Sequence, residues 1–197
     1  PFAKPSRVTS INVHALQIPG VLEASGKTLA LHPWVLEDIL NTEQRPKYED
    51  YGDYIYIVVK MLDLEGPENQ MTIEQLSLVI GANYVISFQE RPGDVFNPVR
   101  ERIRKGIGRI RKLRPDYTAY AIIDSVVDRY FDVIDFIGEK IEKLENELVS
   151  NPKPDTLRRI HDLRRELIFV RKSVWPLREV IASMQRADSD LIHESTN

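Results

Sequence analysis

Four carboxylates stand where they could hold a cation. Glu37 and Asp38 are neighbours in a short helical stretch, and Asp124 and Asp128 are four residues apart in a longer one. A four-residue step puts two side chains one turn apart on the same helix face, so Asp124 and Asp128 could share an ion. Magnesium suits such donors, because it takes hard oxygen ligands and keeps several of its waters, so one or two carboxylates suffice. Both pairs also have plainer readings. Glu37 and Asp38 read as a solvated helix face, and Asp124 and Asp128 as ion-pair partners of arginines in the basic helical stretch Arg158 to Arg186.

Other chemistries find little support. There is no cysteine, which rules out a thiolate metal site and a disulfide framework and fits a reducing cytosol. The histidines, at positions 14, 32, 161 and 193, are scattered, with no His-Glu-x-x-His and no glycine-rich phosphate loop. Asp188-Ser189-Asp190 has the look of half a calcium loop, but the glycine and the distal glutamate of such a loop are missing. The chain is therefore read as not an enzyme. Arg100 to Arg114 holds eight basic residues and one acidic, yet the net charge is -3 and aromatic interleaving is slight, which argues against nucleic acid as a partner.

With 42% hydrophobic and 29% charged residues the composition is that of a globular protein. No window reaches the roughly 18 consecutive apolar residues of a membrane span, and the N-terminus lacks a secretory pattern. The start at Pro1 and the stop just after a helical pattern suggest a fragment.

The first half must position Glu37 and Asp38. Val8 to Val13 reads as a strand, Val21 to Leu31 and Trp34 to Leu40 as helices, with Pro33 suited to a first helical turn. Lys47 to Tyr51 and Tyr54 to Leu62 flank the turn signal Gly52-Asp53, and Thr72 to Ile80 and Tyr84 to Gln89 flank Gly81-Ala82-Asn83. These patterns predict a largely antiparallel sheet, followed by a helix from Val95 to Lys105 capped by Asp94.

The second half must position Asp124 and Asp128. Ile123, Val127, Tyr130, Ile134, Ile137, Ile141, Leu144 and Leu148 follow at alternating steps of four and three, a heptad seam. Ile160, Leu163, Leu167, Val170, Val174, Leu177, Ile181 and Met184 repeat it after the breaker Asn151-Pro152-Lys153-Pro154-Asp155, which ends in a good N-cap. Two long antiparallel helices are expected, the second kinked near Trp175 by Pro176. Charge agrees: Asp132 to Glu147 carries six acidic and two basic residues, Arg158 to Arg186 eight basic and three acidic. The boundary between the two halves falls near Leu113 to Asp116, giving units 1–115 and 116–197.

The run His32-Pro33-Trp34-Val35-Leu36-Glu37-Asp38-Ile39-Leu40-Asn41, continuing through Gln44-Arg45-Pro46-Lys47 to Tyr56-Ile57-Val58-Val59-Lys60-Met61, resembles the cytosolic domain of the CorA family of magnesium transporters. Phe88-Gln89-Glu90 with Gly93-Asp94-Val95-Phe96, Pro98 to Arg104, and Trp175-Pro176-Leu177-Arg178-Glu179-Val180 agree in the same order. The resemblance implies an α+β fold: an α/β/α sandwich around a mostly antiparallel sheet, truncated at its N-terminus, then a long antiparallel helical hairpin. It further implies a stalk helix and two transmembrane segments beyond this chain, with the Gly-Met-Asn signature beside the pore, in a homopentamer of identical subunits on the cytoplasmic face of the cell membrane.

By the same resemblance Asp38, with Glu37 beside it, faces an acid of the neighbouring subunit's stalk, and Asp124 matches a second acidic position near the interface site, with Asp128 one turn further along. The implied role is that of a divalent-cation sensor in a magnesium or cobalt channel: Mg2+ held between subunits cancels carboxylate repulsion and favours the closed pore. Mg2+ is both regulator and transported ion, with Co2+ a further cargo. The related zinc transporters share the architecture and are the alternative.

Overall fold

The computed structural model describes residues 8–14, 20–150, 154–193 and 196. Asn151, Pro152 and Lys153 of the expected breaker, and the opening PFAKPSR, lie outside them. In chain order the elements are β1 (Thr9–Val13), α1 (Val21–Leu29), α2 (Pro33–Leu40), β2 (Lys47–Asp50), β3 (Tyr54–Glu65), β4 (Gln70–Gly81), β5 (Tyr84–Gln89), α3 (Asn97–Lys105), α4 (Pro115–Ser150) and α5 (Thr156–Arg186).

The five strands form one sheet in the order β1-β5-β4-β3-β2. β2–β3, β3–β4 and β4–β5 pair antiparallel and β1–β5 pairs parallel. Gly52 makes the β2–β3 turn possible, since its φ of 82° is a conformation that side chains disfavour. Alternation along β3 splits the interior in two. Tyr54, Tyr56 and Val58 meet Leu22, Leu31, Val35 and Ile39 from α1 and α2 on one face. Ile55, Ile57 and Val59 meet Val99, Val126, Val133 and Leu177 from α3, α4 and α5 on the other. Cover on both faces explains why β3 reads as a continuous apolar run. The result is an α+β fold of three layers, α/β/α, around a mostly antiparallel sheet, as the resemblance implies.

α4 and α5 run antiparallel. Lys140 binds Glu166 at 2.8 Å and Arg159 binds Glu147 at 2.6 Å, so a seven-residue advance on one helix matches a seven-residue retreat on the other. Only the second pair has the polarity that the charge pattern predicts; Lys140–Glu166 has the reverse. The heptad seam is half realised. On α5, Val170, Leu177 and Met184 are buried, while Ile160, Leu167, Val174 and Ile181 are exposed. On α4, Ile123, Tyr130, Ile137 and Leu144 are buried, while Ile134 and Leu148 are exposed. The reason is that the first half of α4 packs on the sheet as well as on α5. Ala119, Ile122, Val126 and Val133 share one core with β3 and β4, the Tyr130 hydroxyl donates to the Lys60 carbonyl, and Arg129 binds Asp63 at 2.5 Å. α5 continues unbroken through Pro176.

Two expected caps differ. α3 starts at Asn97 with Phe96 at its cap position. Asp94 instead accepts the Phe96 N–H at 2.9 Å and grips Arg100, its side chain only 2% exposed. Asp155 stands at the α5 cap position but makes no cap hydrogen bond, and binds Arg158 at 2.9 Å.

Candidate functional site

α2 places Glu37 and Asp38. The His32 ring accepts the Trp34 N–H at 3.2 Å and Pro33 starts the helix. Val35 and Ile39 face the sheet and are fully buried. That orientation leaves Glu37 exposed and Asp38 half-buried beside the start of β2. Lys47 enters there: its ammonium binds Asp38 Oδ2 at 2.5 Å and Glu49 Oε1 at 2.7 Å. The Tyr51 hydroxyl donates to the other oxygen of Glu49 at 3.0 Å, and Gln75 donates to the Asp38 carbonyl at 2.9 Å. Partial burial pulls the Lys47 ammonium down, but its bonds to Asp38 and Glu49 outweigh this and raise it above the ordinary lysine value. Asp38 is therefore already neutralised within its own chain.

α4 places Asp124 and Asp128 differently. Asp124 is half-buried and Asp128 exposed. The expected arginine partners on α5 do not appear: among the described residues neither carboxylate has an ion pair or a side-chain hydrogen bond. Besides Asp128, apolar side chains share this face of α4. Tyr120 stands one turn before Asp124, and Phe131 and Ile134 follow within the next turns; all three are exposed, Phe131 by 62%. An uncompensated carboxylate in an apolar strip is costly to cover unless a counter-charge arrives with the covering surface.

The structure does not bring the two pairs together. α2 covers one face of the sheet and α4 the other. Among the described residues no group of three or more His, Asp or Glu could hold a metal ion, so a full shell around Mg2+ would need retained waters or a second chain. Lys47 escapes sequence reasoning, because nothing local links the first residue of a strand to a helix nine residues earlier. The exposure of Phe131 and Ile134 escapes it too, since both look like ordinary apolar positions of a packed helix. No helix among the described residues is long and apolar enough to cross a membrane.

Comparison with known proteins places this architecture. Residues 20–197 match the family described as CorA-like Mg2+ transporter protein. The cobalt/magnesium transport protein CorA of Thermotoga maritima is 44% identical over 196 residues, covering 100% of this chain and 56% of that protein. The CorA magnesium transporter structure from Methanocaldococcus jannaschii superposes with a TM-score of 0.75 at 18% identity, covering 95% of this chain and 58% of that one. The ZntB cytoplasmic domain from Vibrio parahaemolyticus superposes with a TM-score of 0.70 at 14% identity, covering 97% of this chain and 79% of that one. At those identities the two structures speak for the fold alone. The chain spans little more than half the length of the Thermotoga relative. With the family match running over nearly all of its described length and 44% identity to a CorA protein, the chain belongs to the CorA-like Mg2+ transporter family.

Proposed function

We propose that this chain is the cation-sensing cytosolic part of a magnesium or cobalt channel. Mg2+ held by carboxylates between identical subunits of a homopentamer favours the closed pore. The observation that carries this reading is the unpaired Asp124 in the exposed strip of Tyr120, Phe131 and Ile134. Exposed apolar strips of this kind mark contact surfaces. A carboxylate enclosed by such a contact needs positive charge, and a hydrated divalent ion supplies it without a protein cation. The placement of Asp38 and Asp124 on opposite faces of the sheet supports the same reading, because two neighbours in a ring can present opposite faces to each other.

The residues fit magnesium only in part. Among the described residues Asp124, Asp128 and Glu37 are oxygen donors with no side-chain partner, whereas Asp38 has to exchange Lys47 for the ion. Magnesium is favoured over zinc as the regulator, because zinc sites draw on sulfur and imidazole donors and no such cluster occurs among the described residues.

The test uses the whole transporter that contains this chain. Asp124→Asn and Asp38→Asn are expected each to leave ion uptake less inhibited by internal magnesium. Unchanged inhibition in either variant removes that residue from the sensor, and unchanged inhibition in both removes the proposal.

A further inference from the structure

A cleft of about 940 Å³ has no part in the reading above. It opens between the loop that joins α2 to β2 and the middle of α5. Around it stand Arg45, Lys60, Phe169, Arg171, Lys172 and Trp175. The volume is that of a small-molecule site, for which roughly 300–1,000 Å³ is usual.

The lining is predominantly basic. Arg45, Arg171 and Lys172 have no carboxylate partner among the described residues. Lys60, at the end next to the sheet, is held by the neutral Thr42 carbonyl at 2.6 Å and by Gln75 Oε1 at 3.3 Å. Burial lowers its affinity for a proton, which nearby Glu90 and Glu43 only partly offset. Glu43 is the single carboxylate of the lining. Four basic residues thus line one opening against one acidic residue, and each would gain from an incoming negative charge.

The walls add a second requirement. Trp175 is 66% exposed and Phe169 46%, and both line the cleft. Arginine forks match phosphate oxygens two at a time, and tryptophan and phenylalanine faces accept a nucleobase whatever its identity. Inorganic phosphate would use only the first set of groups, and an apolar ligand only the second.

We infer that this cleft binds a nucleoside polyphosphate of ATP size, its base on Trp175 and Phe169 and its phosphates at Arg45, Arg171 and Lys172. The inference does not rest on the carboxylate sensor. If it holds, the chain reads a second quantity besides free cation, namely the nucleotide that carries much of the anionic phosphate to which magnesium binds.

The test is isothermal titration calorimetry of the 197-residue chain with ATP in EDTA, so that magnesium sites take no part. Tripolyphosphate serves as the probe without a base. Saturable binding with one ATP per chain and a Kd of about 1 mM or tighter is expected. Tripolyphosphate is expected to bind about tenfold more weakly, and Trp175→Ala to weaken ATP about tenfold without affecting tripolyphosphate. The double variant Arg171→Glu, Lys172→Glu, at exposed positions whose change leaves the core intact, is expected to lose both ligands. Thermal melts that match the parent chain show that the variants are folded. No saturation by ATP up to about 5 mM overturns the inference. So does tripolyphosphate binding as tightly as ATP together with an unaffected Trp175→Ala variant, which would mark a plain anion patch.

Discussion

At the proposed Asp38 site Lys47 is the cation that would oppose an incoming magnesium ion, and its removal has a calculable effect. The ammonium lies 2.5 Å from Asp38 Oδ2, so a divalent ion arriving at that carboxylate meets a positive charge at roughly 5 Å. Two charges against one at that distance cost about 1.7 kcal/mol even at the dielectric constant of water. Salt at about 0.1 M, with a Debye length of about 10 Å, reduces this to about 1 kcal/mol. Lys47→Gln is therefore expected to tighten magnesium binding at α2 about five- to tenfold. The pair itself is partly exposed and worth only about 0–1 kcal/mol to the fold, so the variant stays folded. The assay is a titration with MgCl2 followed by NMR at the amides of Glu37, Asp38 and Ile39 in this chain. Adding Asp38→Asn to the variant must abolish the gain. Equal or weaker affinity in Lys47→Gln, or a gain that survives Asp38→Asn, refutes the placement of an ion at Asp38.

The remaining expectations concern the unmodified chain and two buried carboxylates. Without its partner surfaces the chain should bind magnesium weakly and sediment as a monomer or weak oligomer; low-micromolar affinity in calorimetry, or a stable pentamer by light scattering, would count against that. Burial opposes the charge on Asp94, but the bonds from Arg100 and the Phe96 N–H outweigh it and hold the carboxyl below its ordinary value. Its contribution is thus present above the unfolded value of about 3.9 and fades as pH falls through the lower folded value. Asp94→Asn should cost about 2 kcal/mol in urea unfolding at neutral pH, and the gap from the parent chain should shrink at pH values below about 4; a gap independent of pH would show the charge to be irrelevant. Asp116, fully buried at the start of α4, accepts the His193 N–H at 2.8 Å. Asp116→Ala should lower stability by about 2 kcal/mol and speed hydrogen exchange at His193, and an unprotected His193 amide in the parent chain would contradict the link.

How far the sequence discloses this depends on whether a signal is local. The β2–β3 turn is legible because Gly52-Asp53 sits between two runs of strand residues, and α2 because Pro33 opens an apolar face of Val35 and Ile39. The strand Tyr54–Glu65 runs past its expected end at Leu62, because Asp63 looks like a terminator until Arg129 from α4 arrives to neutralise it. The same helix explains the misread seam. A heptad pattern announces that a helix has an apolar side but not how many partners share it, and α4 divides its surface between the sheet and α5. The carboxylates themselves were legible as donors. Their different states were not, since Lys47 reaches Asp38 through the α2–β2 loop and, among the described residues, no such cation reaches Asp124.

That difference bears on how a sensor of this kind could work. Shifting a two-state equilibrium from 1:99 to 99:1 takes about 5.5 kcal/mol of preferential binding. A single magnesium at a partly hydrated carboxylate pair does not supply this, because most of its coordination stays with water in either state. Shared over five interfaces of the proposed ring, the requirement falls to about 1.1 kcal/mol each, or roughly a sixfold preference of the ion for the closed arrangement. On the proposed mechanism Lys47 would keep Asp38 within that modest range, since the ammonium would satisfy the carboxylate whenever the ion left. The proposed open state would then leave Asp38 paired, while Asp124, lacking such a substitute, would bear the penalty when its strip is covered without an ion. On this account Asp124 sets how strongly the subunits separate at low magnesium, and Lys47 sets the concentration at which Asp38 joins. The two substitutions should therefore move different features of one inhibition curve, Asp124→Asn its depth and Lys47→Gln its midpoint, and a shift of midpoint alone in both would refute the division of roles.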